Sequence, residues 1–311
     1  MRFLDVRTDF AFKKVFGSED SKVRLISFLN SVIEFENNAQ IKDLVIVDPY
    51  NIPLLKGMKD TFVDVKAVLD NGTKVIIEMQ VLNHTGLEKR VLYNAAKNYS
   101  TQLLEGEKYH LLNPIIALTI LDFTMFEDSD KVISNFKLLE KRDFINYTDD
   151  LEMIFIELPK FNKSLEELVD IKDQWIYFIK NAGSLEFIPD NMSEPVNSAF
   201  AVSNTAGLSA QELEIQYKKK EFIAVQKSIF EADELKTKEL MAAREEAQIA
   251  KQEAQIAKEE AQIAKEKAQI ARAEGRHEGM QEVAKKLLSS GMDESAVAAA
   301  TNLSLEQVKS L

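Results

Sequence analysis

The sequence predicts a mixed α/β domain followed by a long helical arm and a small helical module. Three observations lead there. The first half alternates helix-period and strand-like apolar runs, residues 184–207 gather Pro189, Pro195 and Gly207 among small and polar residues, and residues 244–272 repeat a seven-residue unit. The expected divisions are 1–183 for the α/β domain, 184–207 for a connector, 208–274 for a long helix with a heptad repeat, and 275–311 for the terminal module.

The elements follow in order. Residues 9–16 carry Phe10, Phe12, Val15 and Phe16, and residues 23–33 carry Leu25, Ile26, Phe28, Leu29 and Val32, the spacing of two helices that bury apolar stripes. Strand-like runs occupy 43–47, 61–69, 74–81 and 115–123. Between the last two, 87–104 has helical spacing through Val91, Leu92, Ala95, Ala96, Tyr99 and Leu103. A short strand is expected at 153–158, closed by Pro159, and a helix at 165–182 around Trp175.

In the repeat, Ala247, Ala250, Ala254, Ala257, Ala261, Ala264, Ala268 and Ala271 alternate at spacings of three and four, the a and d seam of a heptad. Glu246, Glu253 and Glu260 fall at g, and Lys251, Lys258 and Lys265 at e. Each acid therefore precedes a lysine by five residues, the offset that meets across a parallel pair of helices. Two readings stand: a homodimer formed through this helix, or a solvated alanine-rich helix. After Gly275, three short helices are expected at 281–290, 294–300 and 305–311, punctuated by Gly291 and Asn302. Their layout has the outline of a helix-turn-helix, yet the last offers a single basic residue, Lys309. A small packing module is the other reading.

Composition sets limits. With 311 residues, 45% hydrophobic, the chain is long enough for a sizeable core. It has no apolar run of membrane-spanning length, and no membrane partner is expected. Residues 1–7 lack the apolar stretch of a secretory signal, and zero cysteines exclude disulfides and thiolate metal sites, so the expected location is cytoplasmic. A net charge of −12 argues against broad adhesion to nucleic acid. It does not exclude a nuclease, because metal ions neutralise an acidic site locally.

The candidate chemistry lies in Asp64 and, fourteen residues later, Glu78-Met79-Gln80. Residues two apart on a strand share a face, so Glu78 points with Gln80, and Asp64 with Lys66. A two-residue Asn71-Gly72 turn would pair Val65 with Glu78 and turn Asp64 away. A three-residue Asp70-Asn71-Gly72 loop, with Gly72 left-handed, would pair Asp64 with Glu78. In the second register two carboxylates converge, the donor set for Mg²⁺ or another divalent cation that keeps several waters and meets a phosphate. Other candidates are weaker. His84, His110 and His277 have no ligand spacing, and Tyr93, Tyr99 and Tyr109 read as core or core-edge aromatics. Arg90 and Lys97 share a helix face that either approaches a DNA backbone or is solvated.

The ordered set Thr8-Asp9-Phe10-Ala11-Phe12-Lys13-Lys14-Val15-Phe16-Gly17, Asp64, Ile77-Glu78-Met79-Gln80, Arg90, Tyr93, Ala96, Tyr99, Leu103, Gly106, Tyr109 and Pro114-Ile115-Ile116 resembles the PD-(D/E)XK nuclease superfamily. It resembles in particular the transposase-like, recombination-promoting branch. The resemblance implies a restriction-endonuclease-like core, a mixed sheet flanked by helices, in residues 1–183. It implies metal-dependent endonuclease action on double-stranded DNA, with Asp64 and Glu78 as metal ligands. Gln80 then takes the place of the motif lysine. Two departures stand out: residue 63 is Val, not Pro, and Gln80 carries no charge. Lys66, Lys13 or Lys14 would have to restore that charge, and Asp9 is either a third acid or a helix-capping residue. A catalytically degenerate nuclease fold, acting as a scaffold or DNA-binding protein, is the alternative.

Overall fold

Thr8 starts the first helix, its side chain accepting the Ala11 amide at 3.4 Å while Asp9 sits in the positive first turn. In this computed structural model residues 1–311 are described except Glu36, Asn38, Ile52–Asp60 and the side chains of Asn51 and Glu234. The chain divides into two compact units, Met1–Phe230 and Glu231–Leu311.

In the first unit, α1 (Asp9–Phe16) and α2 (Lys22–Val32) bury the stripes their spacing predicts. Phe16 packs against Phe28 and Trp175, with ring centroids 5.2 and 5.5 Å apart. There follow β1 (Leu44–Val47), the short β2 (Tyr50–Asn51) and β3 (Thr61–Phe62), β4 (Val65–Leu69), β5 (Lys74–Gln80), α3 (Leu87–Ser100) and β6 (Ile115–Leu121). Next come β7 (Ile133–Leu139), β8 (Asn146–Glu157), α4 (Ile171–Asn181) and α5 (Glu194–Ser203). The last helix to begin in this unit is α6 (Ala210–Ser289). The main sheet has six strands in the order β1-β4-β5-β6-β8-β7, and β2 pairs with β3 apart from it. β5, β6 and β8 run parallel, and the outer pairings are antiparallel. The mixed sheet with flanking helices is thus the expected fold class.

Two cores cover the two faces. Val65, Ala67, Val75 and Ile77 point to the face packed by α1, α2, α4 and α5, while Ile76, Ile115 and Ala117 point to α3 through Leu87, Val91 and Ala95. β6 is buried at every position, as a strand paired in parallel on both sides and covered on both faces must be.

Several elements differ from expectation. The run 61–69 is broken at Val63-Asp64, where the chain bends between β3 and β4. The 153–158 strand is the inner end of β8, whose exposed, polar outer half pairs with the unanticipated β7. The helix expected at 165–182 begins at Ile171, capped by Asp170. The segment 184–207 is no bare connector: α5 lies in it, with Val196, Ala199 and Phe200 fully buried. Pro195 stands in the first turn of that helix, where a missing amide costs nothing.

α6 runs unbroken from 210 to 289, so Gly275 does not end it, and the helix expected at 281–290 is its last part. Along the repeat it is exposed, and Gln255 and Gln262 bond Glu259 and Glu266 one turn on, at 2.8 and 2.9 Å. In the second unit α7 (Glu294–Thr301) and α8 (Leu305–Lys309) close a small core of Ala284, Val297, Leu303 and Val308. Gly291 and Asn302, both at positive φ, turn the chain between these helices. Among the described residues no helix is long and apolar enough to cross a membrane.

Phe200 packs edge-on against Phe178 and Phe3, with centroids 4.7 and 5.2 Å apart. Phe200→Ala is therefore expected to lower stability by about 3–5 kcal/mol in denaturant melts. A chain ending at residue 183 is expected to lack a cooperative transition that one ending at 230 retains. The β4–β5 turn gives a second expectation. Gly72 has φ +86°, and a Cβ there would meet Asn113 Oδ1 at 2.5 Å, so Gly72→Ala should cost at least about 1 kcal/mol in the same melts.

Candidate active site

The turn between β4 and β5 is the three-residue one. Leu69 donates its amide to Thr73 O, Gly72 is left-handed, and the ladder pairs Val68 with Lys74 and Val65 with Ile77. That register brings Asp64 level with Glu78. The pairing is not regular at that point, however. Asp64 lies in the bend, its amide donates to Ile77 O at 3.0 Å, and its Oδ2 accepts the Met79 amide at 2.8 Å. A side-chain carboxylate thereby takes the acceptor place that a backbone carbonyl holds in a continuous ladder.

Glu78 leaves β5 on the α3 face. One strand step before it Ile76 meets Val91 and Ala95, so Glu78 meets the next turn toward the helix start, at Arg90 and Asn94. The carboxylate is 5% exposed and accepts three hydrogen bonds: Gln80 Nε2 at 3.1 Å, Arg90 Nη2 at 3.0 Å and Asn94 Nδ2 at 2.5 Å. A buried carboxylate needs such partners, and a charged one contributes most.

Asp64 is held differently. Its Oδ1 lies 3.9 Å from Lys13 Nζ, beyond hydrogen-bonding distance. Burial pushes its pKa up to about 6, the negative charges of Asp9 and Glu78 adding to the rise and the Met79 amide and Lys13 opposing it. Asp9 itself pairs with Lys219 Nζ of α6 at 2.9 Å. Asp9, Asp64, Glu78, Gln80, Arg90 and Lys219 all line one cavity of about 940 Å³.

The structure thus gathers Asp64, Glu78 and Gln80, but not Lys66, at this cavity. Lys66 has Lys74 and Asp48 as electrostatic neighbours, and the lysine beside Asp64 is Lys13. Lys14 reaches Glu212 instead. Lys97 is buried and so faces no DNA backbone, and Tyr109 is exposed and belongs to no core edge. Asn94 and Lys219 were missed by sequence reasoning. The Arg90–Asn94 spacing of four on one helix face was the available signal for the first, and Lys219 had none.

Among the described residues no group of three His, Cys, Asp or Glu side chains forms a ready metal cluster. Two carboxylates remain a fitting set for a cation that retains much of its hydration, since Asp64 Oδ1 accepts no hydrogen bond among the described residues and the neighbouring acids leave local negative charge.

The raised Asp64 pKa has a defined consequence. Its ionisation opposes folding above about pH 6, and this cost fades as pH falls toward the ordinary carboxylate range near 4. Asp64→Asn is therefore expected to raise the melting temperature at pH 8, with the gain gone by pH 4, in thermal melts without divalent cations.

The PD-(D/E)XK nuclease family transposase, as a family, matches residues 6–233 of the chain. No curated protein and no solved structure matches it.

Proposed function

The chain belongs to the PD-(D/E)XK nuclease family transposases, and from that premise we propose that it is a divalent-metal-dependent DNA endonuclease serving recombination or mobile DNA. The observation that carries this reading is the shared cavity in which Asp64 and Glu78 stand beside Gln80, with Arg90 and Lys219 on the same wall. Acids alone would repel a phosphodiester. Acids interleaved with cations fit a phosphate that arrives with a metal ion.

Asp64 and Glu78 are the residues that would hold Mg²⁺ or a similar cation. When bound, such an ion polarises the phosphoryl oxygen and makes a coordinated water a better nucleophile. The chain's own residues do the rest. Water attacks phosphorus, the bond to the leaving oxygen breaks, and a proton equivalent to the one the water gives up ends on that oxygen. Gln80 steadies Glu78 through Nε2, and its amide oxygen is suited to orient the water but carries no charge. Positive charge near the reacting phosphate comes from Lys13, 3.9 Å from Asp64, and from Lys219. Arg90 has a buried Nε without a hydrogen-bond partner among the described residues, and its planar fork suits a phosphate as well as Glu78.

The g-to-e pattern of the α6 repeat supports parallel pairing of two chains, which gives two strand-cutting sites per assembly. The absence of cysteine supports a cytoplasmic setting. One observation favours a second reading. Glu78 already accepts three hydrogen bonds, one from a cation, the arrangement of a carboxylate kept for structure in a degenerate, DNA-binding fold.

Supercoiled plasmid cleavage with and without Mg²⁺ separates the two. The expected result is Mg²⁺-dependent cleavage that Asp64→Ala and Glu78→Ala each lower by at least about a hundredfold. Cleavage untouched by either substitution would remove the site assignment. Absence of cleavage with any divalent cation would favour the degenerate reading.

A further inference from the structure

Three aromatic rings line the cavity that holds Asp64 and Glu78, and each comes from a different element. Phe62 of β3 is 67% exposed, Tyr93 of α3 39% and Phe222 of α6 59%. The chain does not lack room to bury such rings, since Phe12, Phe16, Phe28 and Trp175 are fully enclosed. A single exposed phenylalanine needs no explanation, but three rings around the one cavity that holds Asp64 and Glu78 form a patch that carries a purpose.

Phe62 is also pre-set. Its ring stacks on Tyr50, with centroids 4.6 Å apart and planes 28° from parallel, so β2 and β3 hold it in place before any ligand arrives. The same cavity is lined by Lys89, Arg90 and Lys219. Flat apolar faces and cations lining one cavity suit a chain of flat bases joined by phosphates, provided that the bases are unpaired. In a duplex the base faces are hidden in the stack and cannot reach these rings. The cavity, about 940 Å³, is the size of a small-ligand site.

We propose that the substrate is DNA with unpaired bases at the scissile phosphate, such as a gap, flap or single-stranded run, whose bases stack on Phe62 and Phe222 with Tyr93 at the side. The proposal rests on the nuclease reading for the identity of the polymer and adds its structural class. It also answers the charge problem. At a net charge of −12 the chain gains little from long-range attraction to phosphates, and stacking is a contact-range term that charge and salt affect weakly.

The test measures binding, so it does not depend on cleavage. The full chain carrying Asp64→Ala, which leaves the probe intact, is titrated with an oligonucleotide duplex that has an internal unpaired run with 2-aminopurine at its centre, and with the fully paired duplex. The expected result is at least about tenfold tighter binding of the gapped probe, with fluorescence quenched by stacking. Phe62→Ala and Phe222→Ala, added singly, should each weaken gapped binding about tenfold and leave paired binding unchanged, while Phe62→Trp retains it. Both rings are exposed, so neither change opens a core cavity, and a thermal melt verifies folding. Equal affinity for the two probes, or variants that weaken both alike, would overturn the proposal. So would a Phe222→Ala change that alters the oligomeric state in sedimentation but not DNA affinity, because the rings would then seat a second copy of the chain. If stacking is seen and the wild type cuts nothing, the nuclease reading fails while the binding proposal stands.

Discussion

In the parallel pairing of β5 with β6, Glu78 lies beside Thr119 and Gln80 beside Leu121, and every residue of β6 is buried. Parallel strands place their carboxyl ends at the same edge of a sheet, which is where open α/β sheets carry their sites. Here that edge collects Glu78, Gln80 and, one residue past β6, Asp122, whose amide donates to Gln80 O at 2.9 Å. The Asp122 carboxylate is in turn gripped by Arg7 at 3.0 Å and Lys227 at 2.5 Å, so the N-terminal segment and α6 are both pinned to that edge. A shift of β5 by one residue against β6 would carry Glu78 to the opposite face, away from Arg90 and Asn94, and dissolve the cavity wall.

The two acids are held by different physics. Glu78 has its charge answered within the fold by three donors from β5 and α3. Asp64 has one backbone donor and a distant lysine, and its ionisation is opposed by burial and by two neighbouring acids. An approaching cation therefore gains most at Asp64, where it relieves a standing penalty, and least at Glu78, where it must displace partners already in place. The asymmetry puts the proposed chemistry under the control of α3: Arg90 either answers Glu78 or turns to a phosphate.

What the sequence revealed follows the range of the signal. The Asp70-Asn71-Gly72 turn was legible because only glycine takes a left-handed residue cheaply, and the turn length then set the register of the whole hairpin. The bend at Asp64 was not, since Thr61–Leu69 reads as one apolar run and nothing local marks where a carboxylate will replace a backbone acceptor. β7 and the outer half of β8 escaped for a related reason: both are largely exposed, the apolar residues of β7 (Ile133, Phe136, Leu138 and Leu139) do not alternate, the outer half of β8 is polar, and cross-strand pairing holds them. Pro195 misled because proline breaks helices everywhere except in their first turn. Strand alternation put Lys66 on the face of Asp64 correctly in principle, but it could not reveal that α1 brings Lys13 closer, a tertiary fact.

The acidic balance of the chain bears on how it would grip a polyanion at all. Attraction between separated charges decays over about 8 Å at physiological salt, so a net charge of −12 weakens the long-range encounter but leaves short-range chemistry inside a cavity largely intact. The cations that do reach this cavity are already engaged in part, Lys219 with Asp9 and Arg90 with Glu78. Neither is a free phosphate anchor until its acid finds another partner. A divalent ion between Asp64 and Glu78 would compete with Arg90 for Glu78 and so free Arg90 for a phosphate, while Lys219 stays paired with Asp9. The exposed rings beside these acids draw on neither charge nor metal.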